Sequence, residues 1–378
     1  MLQELEAYCR QRRLLFYPKT DLPLPRAILD RSALGTDPQA AEMDRLVSEA
    51  ATRIFPREQA TIAPLKNQGT FHRLYRAQLL PARNVIVRVN ALSQWQRDFT
   101  LLLDEWAMAR LREAGLPSLG VYGVDLSRRL CPFDYQLHQE APGMTFQGFD
   151  HDEEKIRPLL FELGRMVGRL HHICTEGFGL FDVTPLVTNP SDVPLLHGTS
   201  ATWPEYVSLN LEVHIKQCVA ATAISSEEAE RIGEVFEVAA GMLPVAEPCL
   251  LHGDLGNHNL FTDGKDVSAL IDWEDCLSGD PVFDIAFWAT FHPQGRHQCF
   301  LDGYRQEHAL PADFELRFWI YFLRISLSKT VLRQRFGVQD KPGRVPASRR
   351  IQLGLEKAEA LLPGIKQGAR KRIHTDAA

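Results

Sequence analysis

The chain has 378 residues, 45% of them apolar and 24% charged, with a net charge of −6 at neutral pH. That length and balance exclude a disordered or fibrous protein and leave enough apolar surface for a large core. A net negative chain has no overall positive field with which to collect nucleic acid or anionic lipid, and suits a cationic or metal-bound substrate better. The seven cysteines, Cys9, Cys131, Cys174, Cys218, Cys249, Cys276 and Cys299, are scattered with no CxxC pair. This argues against a disulfide framework or a structural zinc site. The opening MLQELEAYCRQRRLLFYP carries early acids and no long apolar stretch, and no run of eighteen apolar residues occurs anywhere. The expectation is a cytoplasmic protein that binds neither membrane nor nucleic acid; no sequence feature sets an oligomeric state.

Residues 1–58 hold two helix-like stretches, LQELEAYCRQRRLLF and PQAAEMDRLVSEAATRIF, around the proline-rich PKTDLPLPRAILD, and read as a helical arm. From residue 59 to 141 the texture changes. TIAPLKNQGTFHRLYRAQLL and RNVIVRVNA read as paired strands, DFTLLLDEWAMARLREAG as a helix that Gly115 ends, and LGVYGVDLS and FDYQLHQE as further strands. Pro142 and Gly143 then punctuate the chain. Residues 142–378 are mostly helical, beginning with the amphipathic EEKIRPLLFELGRMVGRLHHIC, but enclose a strand island of CLLHG, HNLFT and VSALIDW. The pattern predicts an α+β, bilobal protein: an N-terminal antiparallel β lobe with one main helix, and a larger helical lobe with an inserted β-hairpin.

The chemistry gathers in HGDLGNHNLFTDGKDVSALIDWEDCLSGDPVFD, His252 to Asp284. Two apolar strands around TDGKD form the hairpin, because Asp263 and Gly264 are turn formers. Asp254 and Asn259 lie on the loop before it and Asp272 just after, so the three face one cavity. Carboxylates beside a carboxamide suit Mg²⁺, which takes oxygen ligands and commonly rests on one or two carboxylates plus phosphates. Phosphoryl transfer needs a group to orient the hydroxyl, metal ligands, and positive charge along the phosphates. A bland alternative is a hairpin with solvent-facing acids; another is a transition-metal site at His252, Asp254 and His258.

At this point the sequence resembles the aminoglycoside phosphotransferase and choline-kinase-like family of small-molecule kinases, with a protein-kinase-like fold. H-G-D-x-x-x-x-N, the I-D-W run and GDPVFDIAFW carry the resemblance, supported by RLHHICTEGFG upstream; about residues 60–335 fit and the first 58 do not. The resemblance implies that Asp254 is catalytic, that Asn259 and Asp272 hold Mg²⁺, and that Asp280 and Asp284 are structural hydrogen-bond acceptors. It also implies ATP as the phosphoryl donor, with the turn around Gly69 and Thr70 covering the phosphates. Arg88 in VIVRVN would contact them, paired with Glu105 of LLLDEWAMARL. The hinge LHQEAPG would read adenine through the backbone of Gln139, Glu140 and Ala141.

A small-molecule hydroxyl is the expected acceptor. The texture is nearest to hygromycin-type antibiotic kinases, with a comparable VIVRVN strand and GFG and TW segments, implying an aminoglycoside, aminocyclitol or sugar. The alternatives are a metabolic kinase of the choline, homoserine or fructosamine type and a nucleotide-binding pseudokinase scaffold.

Overall fold

The computed structural model describes residues 1–24, 40–65, 71–80, 83–90, 97–149, 151–189, 193–337 and 345–362. Its first sheet contains β1 (Ala60–Pro64), β2 (Arg73–Leu79), β3 (Arg83–Val89), β4 (Val121–Asp125) and β5 (Tyr135–Gln139), in the antiparallel order β1-β2-β3-β5-β4. Side chains alternate across a strand. Val85, Val87 and Val89 therefore pack with Tyr75, Ala77 and Leu137 beneath one helix, Ala40–Ile54. Ile86 and Arg88 turn to the opposite face and line a cavity.

The helices run α1 (Leu2–Arg12), α2 (Pro18–Asp21), α3 (Ala40–Ile54), α4 (Thr100–Glu113), α5 (Glu153–Leu170), α6 (Thr184–Thr188) and α7 (Trp203–Ser208). They continue through α8 (Leu211–Ala220), α9 (Ser226–Ala240), α10 (Pro281–Ala289), α11 (His297–Tyr304), α12 (Phe314–Arg335) and α13 (Ala347–Leu361). Helix α9 starts on a capping box: Glu228 N–H donates to Ser225 Oγ at 3.1 Å, and Ser225 N–H to Glu228 Oε2 at 2.8 Å. The stretch ATWPEYVSLNLEVHIKQCVA makes two helices, breaking at Asn210, which is left-handed with φ 56°. Helices α5 and α11 cross closely, because a Cβ at Gly164 would meet Phe300 O at 2.0 Å and one at Gly303 would meet Phe161 O at 1.9 Å. None of the described helices is long and apolar enough to cross a membrane.

Two small sheets complete the helical part. β7 (Phe178–Phe181), β8 (Gly198–Ser200), β9 (Cys249–Leu251) and β12 (Leu277–Gly279) are ordered β8-β7-β12-β9. The expected hairpin is β10 (Leu260–Thr262) and β11 (Val267–Leu270), and β6 (Met144–Thr145) pairs with β10. That pairing joins the segment after β5 to the β10–β11 hairpin. Gly143 is the residue that permits it: φ is +86°, and a Cβ there would meet Thr262 O at 2.0 Å.

The first 58 residues serve two places. Helix α3 covers the first sheet, whereas Leu5, Tyr8, Phe16, Tyr17 and Leu22 belong to the core of the helical part. The early segment is stitched down by polar contacts as well. Tyr206 Oη donates to Phe16 O at 2.6 Å, Asn210 Nδ2 to Leu14 O at 2.9 Å and Thr20 Oγ1 to Ser328 O at 3.3 Å, while Arg335 donates to the carbonyls of Thr20 and Leu22. Asp21 receives Phe16 N–H at 2.7 Å and pairs with His214 at 2.6 Å. Helix α12 is consequently buried around most of its circumference.

Candidate active site

A cavity of about 1130 Å³ opens between the sheet and the helical part, and Asp254, Asn259 and Asp272 all line it. The loop carrying Asp254 is shaped from behind by Asp284, whose two oxygens accept His252 N–H at 2.6 Å and Gly253 N–H at 2.9 Å. Asp280 caps α10 through Val282 N–H at 2.9 Å and receives Arg317 and Tyr321 Oη, each at 2.7 Å. Both acids are thus hydrogen-bond acceptors that brace the loop. His252 donates Nε2–H to Ile271 O at 3.0 Å and accepts Asp254 N–H at Nδ1, 3.2 Å. Its two nitrogens are spent on the loop, which removes it from any metal site.

Asp272 is itself left-handed, φ 69° and ψ 56°, at the end of the hairpin. A β-branched or bulky residue would be strained there, while Asp tolerates it. Asn259 donates Nδ2–H to Asp254 O at 3.0 Å, leaving Oδ1 as its oxygen for a cation. Among the described residues no cluster of three or more His, Cys, Asp or Glu side chains is arranged to hold a metal alone. Two protein oxygens with phosphates supplying the rest match the needs of Mg²⁺, so the donor set fits that ion.

A cation missed by motif reading occupies the centre of this acidic group. Lys19, carried in by α2, places Nζ 2.7 Å from Asp275, 2.9 Å from Glu274, 3.4 Å from Asp254 and 3.6 Å from Asp272. Nothing in FYPKTDLP distinguishes this lysine by pattern; only the fold brings it here. Burial alone would raise the Asp254 carboxyl, but Lys19, helped by His258 and Lys329, holds it well below the ordinary range. Asp272 is likewise held down against its burial by Lys19 and Arg88. Burial outweighs Lys19 at Asp275 and pushes that carboxyl up to about 7.

Arg88 projects from β3 into the same cavity, bonding Asp272 at 2.7 Å and Glu274 at 2.5 Å. Its helix partner is Asp104, at 3.5 Å, rather than the expected Glu105. The reason is helical register: Asp104 shares its face with Met108, one turn on, and both line the cavity. Asp104 also accepts Trp273 N–H at 2.8 Å, tying α4 to the loop of Asp272. Glu105, a hundred degrees away around the helix, is raised by burial and by Asp104, with Arg112 as its compensating cation.

At the hinge, Glu140 and Ala141 line the cavity. Gln139 is committed elsewhere: its N–H donates to Gly120 O at 2.8 Å and its carbonyl accepts from His138 Nδ1 at 2.8 Å. The backbone groups of Gln139 expected to read adenine are therefore engaged within the protein, and Gln139 does not line the cavity. Gly69 and Thr70 lie outside the described residues.

Comparison with known proteins agrees with this geometry. Over 213 residues the chain is 24% identical to the hygromycin-B 4-O-kinase of Escherichia coli, a match spanning 54% of this chain and 56% of that enzyme, so only about half of that relative's length is represented. The fold superposes on a candidate fructosamine-3-kinase from Thermobifida fusca with a TM-score of 0.58 at 17% identity, covering 83% of this chain and 97% of that one. A thermostable mutant of aminoglycoside phosphotransferase APH(4)-Ia, in ternary complex with ADP and hygromycin B, gives 0.57 at 18% identity, covering 84% and 97%. Both confirm the bilobal, kinase-like α+β architecture. The model of the phosphotransferase enzyme family, APH, matches residues 67–319, and the chain belongs to that family.

Proposed function

We propose that the chain is an ATP-dependent O-phosphotransferase that acts on a hydroxyl of a small molecule. One observation carries this reading: Asp254 and Asp272 converge on a single point, each within 3.6 Å of the same Lys19 Nζ, with Arg88 bonded to the far side of Asp272. A base and a metal-ligand acid so placed address one transferring group. Asp254 orients the acceptor hydroxyl and takes its proton late, as its oxygen bonds to the γ-phosphorus and the bond to the β,γ-bridging oxygen breaks to release ADP. Its depressed carboxyl keeps it ionised and able to accept that proton. Asn259 and Asp272 would hold Mg²⁺, which neutralises the phosphates. Arg88 and Lys19 add fixed positive charge around them, and Glu140 and Ala141 would meet the adenine edge.

The likeness to a hygromycin-B 4-O-kinase supports an aminoglycoside or aminocyclitol acceptor, and the likeness to a candidate fructosamine-3-kinase supports a metabolic one. Lys329, Arg333 and Arg350, which also line the cavity, weigh against a polycationic acceptor and for a metabolic one that is not a cation like choline. Asp254→Ala tests the core of the reading: phosphoryl transfer should stop while nucleotide binding persists. Undiminished ATP consumption in that variant would refute it.

A further inference from the structure

We propose that the acceptor carries an anionic group, a carboxylate or phosphate ester, seated against Lys329 and Arg333 while its hydroxyl faces Asp254. This rests on the site being a phosphotransferase centre and names the chemistry of the second substrate.

The cavity has two unlike walls. Its lining carboxylates, Asp104, Glu140, Asp254, Asp272 and Glu274, stand on α4, the hinge and the catalytic loops. The opposite wall, built from the segment after α10 together with α12 and α13, contributes His292, Arg296, Lys329, Arg333 and Arg350, and no carboxylate among the described lining residues. A polycationic aminocyclitol seated there would set ammonium against ammonium and guanidinium at short range, in a partly desolvated space where repulsion is poorly screened.

Lys329 is the most telling member. It is only 8% exposed, and its Nζ has no hydrogen-bond acceptor among the described residues. The ammonium rests instead on two ring faces, 3.8 Å from the centroid of Phe287 and 3.3 Å from that of Phe291. Ring faces compensate a buried charge only in part. Burial pushes the amine well below the ordinary lysine range, with the charge of Asp254 acting in the other direction. An anion arriving at Nζ would supply the missing acceptor. Arg333 follows four residues later on the same helix face; both line the cavity, and one anionic group can bridge them. Arg296 bonds Glu153 at 2.8 Å and Arg350 bonds Thr290 O at 2.9 Å, which fixes this wall in place.

The test is direct binding to the full chain saturated with AMP-PNP and Mg²⁺, so that the nucleotide side is filled. Calorimetry would compare gluconate, glucose 6-phosphate, glucose and hygromycin B. At least one anionic probe should bind about tenfold or more tightly than glucose, the amount one charged hydrogen bond confers. Gluconate against glucose 6-phosphate distinguishes carboxylate from phosphate. Lys329→Met should erase that preference and leave AMP-PNP affinity unchanged, which also shows that the variant folds; Arg333→Gln should weaken it. Equal or absent binding of all four, tightest binding of hygromycin B, or a preference for the anion that survives both substitutions would overturn the proposal. Because the readout is binding rather than turnover, it is separate from the Asp254→Ala test: nucleotide binding without any transfer would sink the enzyme reading and leave anion selectivity standing.

Discussion

On the loops flanking the β10–β11 hairpin, Asp254, Asp272, Glu274 and Asp275 gather around Lys19, with Arg88 beside them; on α12, Lys329 stands on aromatic rings with no carboxylate bonded to it. The first group is internally compensated and therefore pre-organised: Asp254 and Asp272 are held ionised before any substrate arrives. The second is uncompensated, and so is suited to recognising what binds. A neutralised cluster supports chemistry, and an unneutralised cation selects a partner.

The comparison can be broken most sharply at Asp254. Asp254→Asn keeps the shape but removes the base, and turnover should fall by about a thousandfold, within the usual range for a general base. ADP release measures the loss, and the KM for ATP should move little.

Lys19→Met comes next. It leaves four acids around an apolar side chain, and turnover should drop by roughly tenfold to a hundredfold. The sign of the pH effect separates a chemical role from a structural one. Lys19 is the leading cause that lowers Asp254, so its loss raises that carboxyl. The base is then protonated sooner as the pH falls, and the acid limb of the pH–rate profile moves to higher pH. A limb that stays in place would reduce Lys19 to a packing residue.

The smallest effects sharpen the helix register. Asp104→Ala removes the acceptor of Trp273 N–H and a buried partner of Arg88, and should cost about 3 kcal/mol in urea unfolding. Glu105→Ala should stay within about 1 kcal/mol and leave the KM for ATP unaltered. Reversed magnitudes would restore Glu105 as the partner of Arg88.

What was readable in the sequence follows from separation along the chain. Asp254, Asn259 and Asp272 fall within one short stretch whose hairpin is signalled by its turn residues, so local rules bring them together. Arg88 was named through the resemblance of VIVRVN to a kinase strand, and strand alternation is what turns it toward the cavity. Glu105 was misassigned because neighbouring acids on one helix differ only in rotational phase, which packing decides. Lys19 and Asp254 are separated by 235 positions, and no local rule spans that interval. Glu274 and Asp275 take their place from Lys19, which lies between them. The basic wall assembles from helices after residue 290, where each cation taken singly looks like an ordinary surface residue.

The docking of the early segment on α12 also has a consequence for biosynthesis. Thr20 and Ser328 are bonded across 308 positions, which makes Lys19 one of the first catalytic-centre residues to leave the ribosome and one of the last to reach its place. The acidic cluster must wait for α12 before its cation is locked in, so a nascent chain holding the complete HGD-to-IDW stretch still lacks a finished centre. Closing so long a loop is entropically slow. The proposed centre is thereby completed only once α12 has emerged and folded.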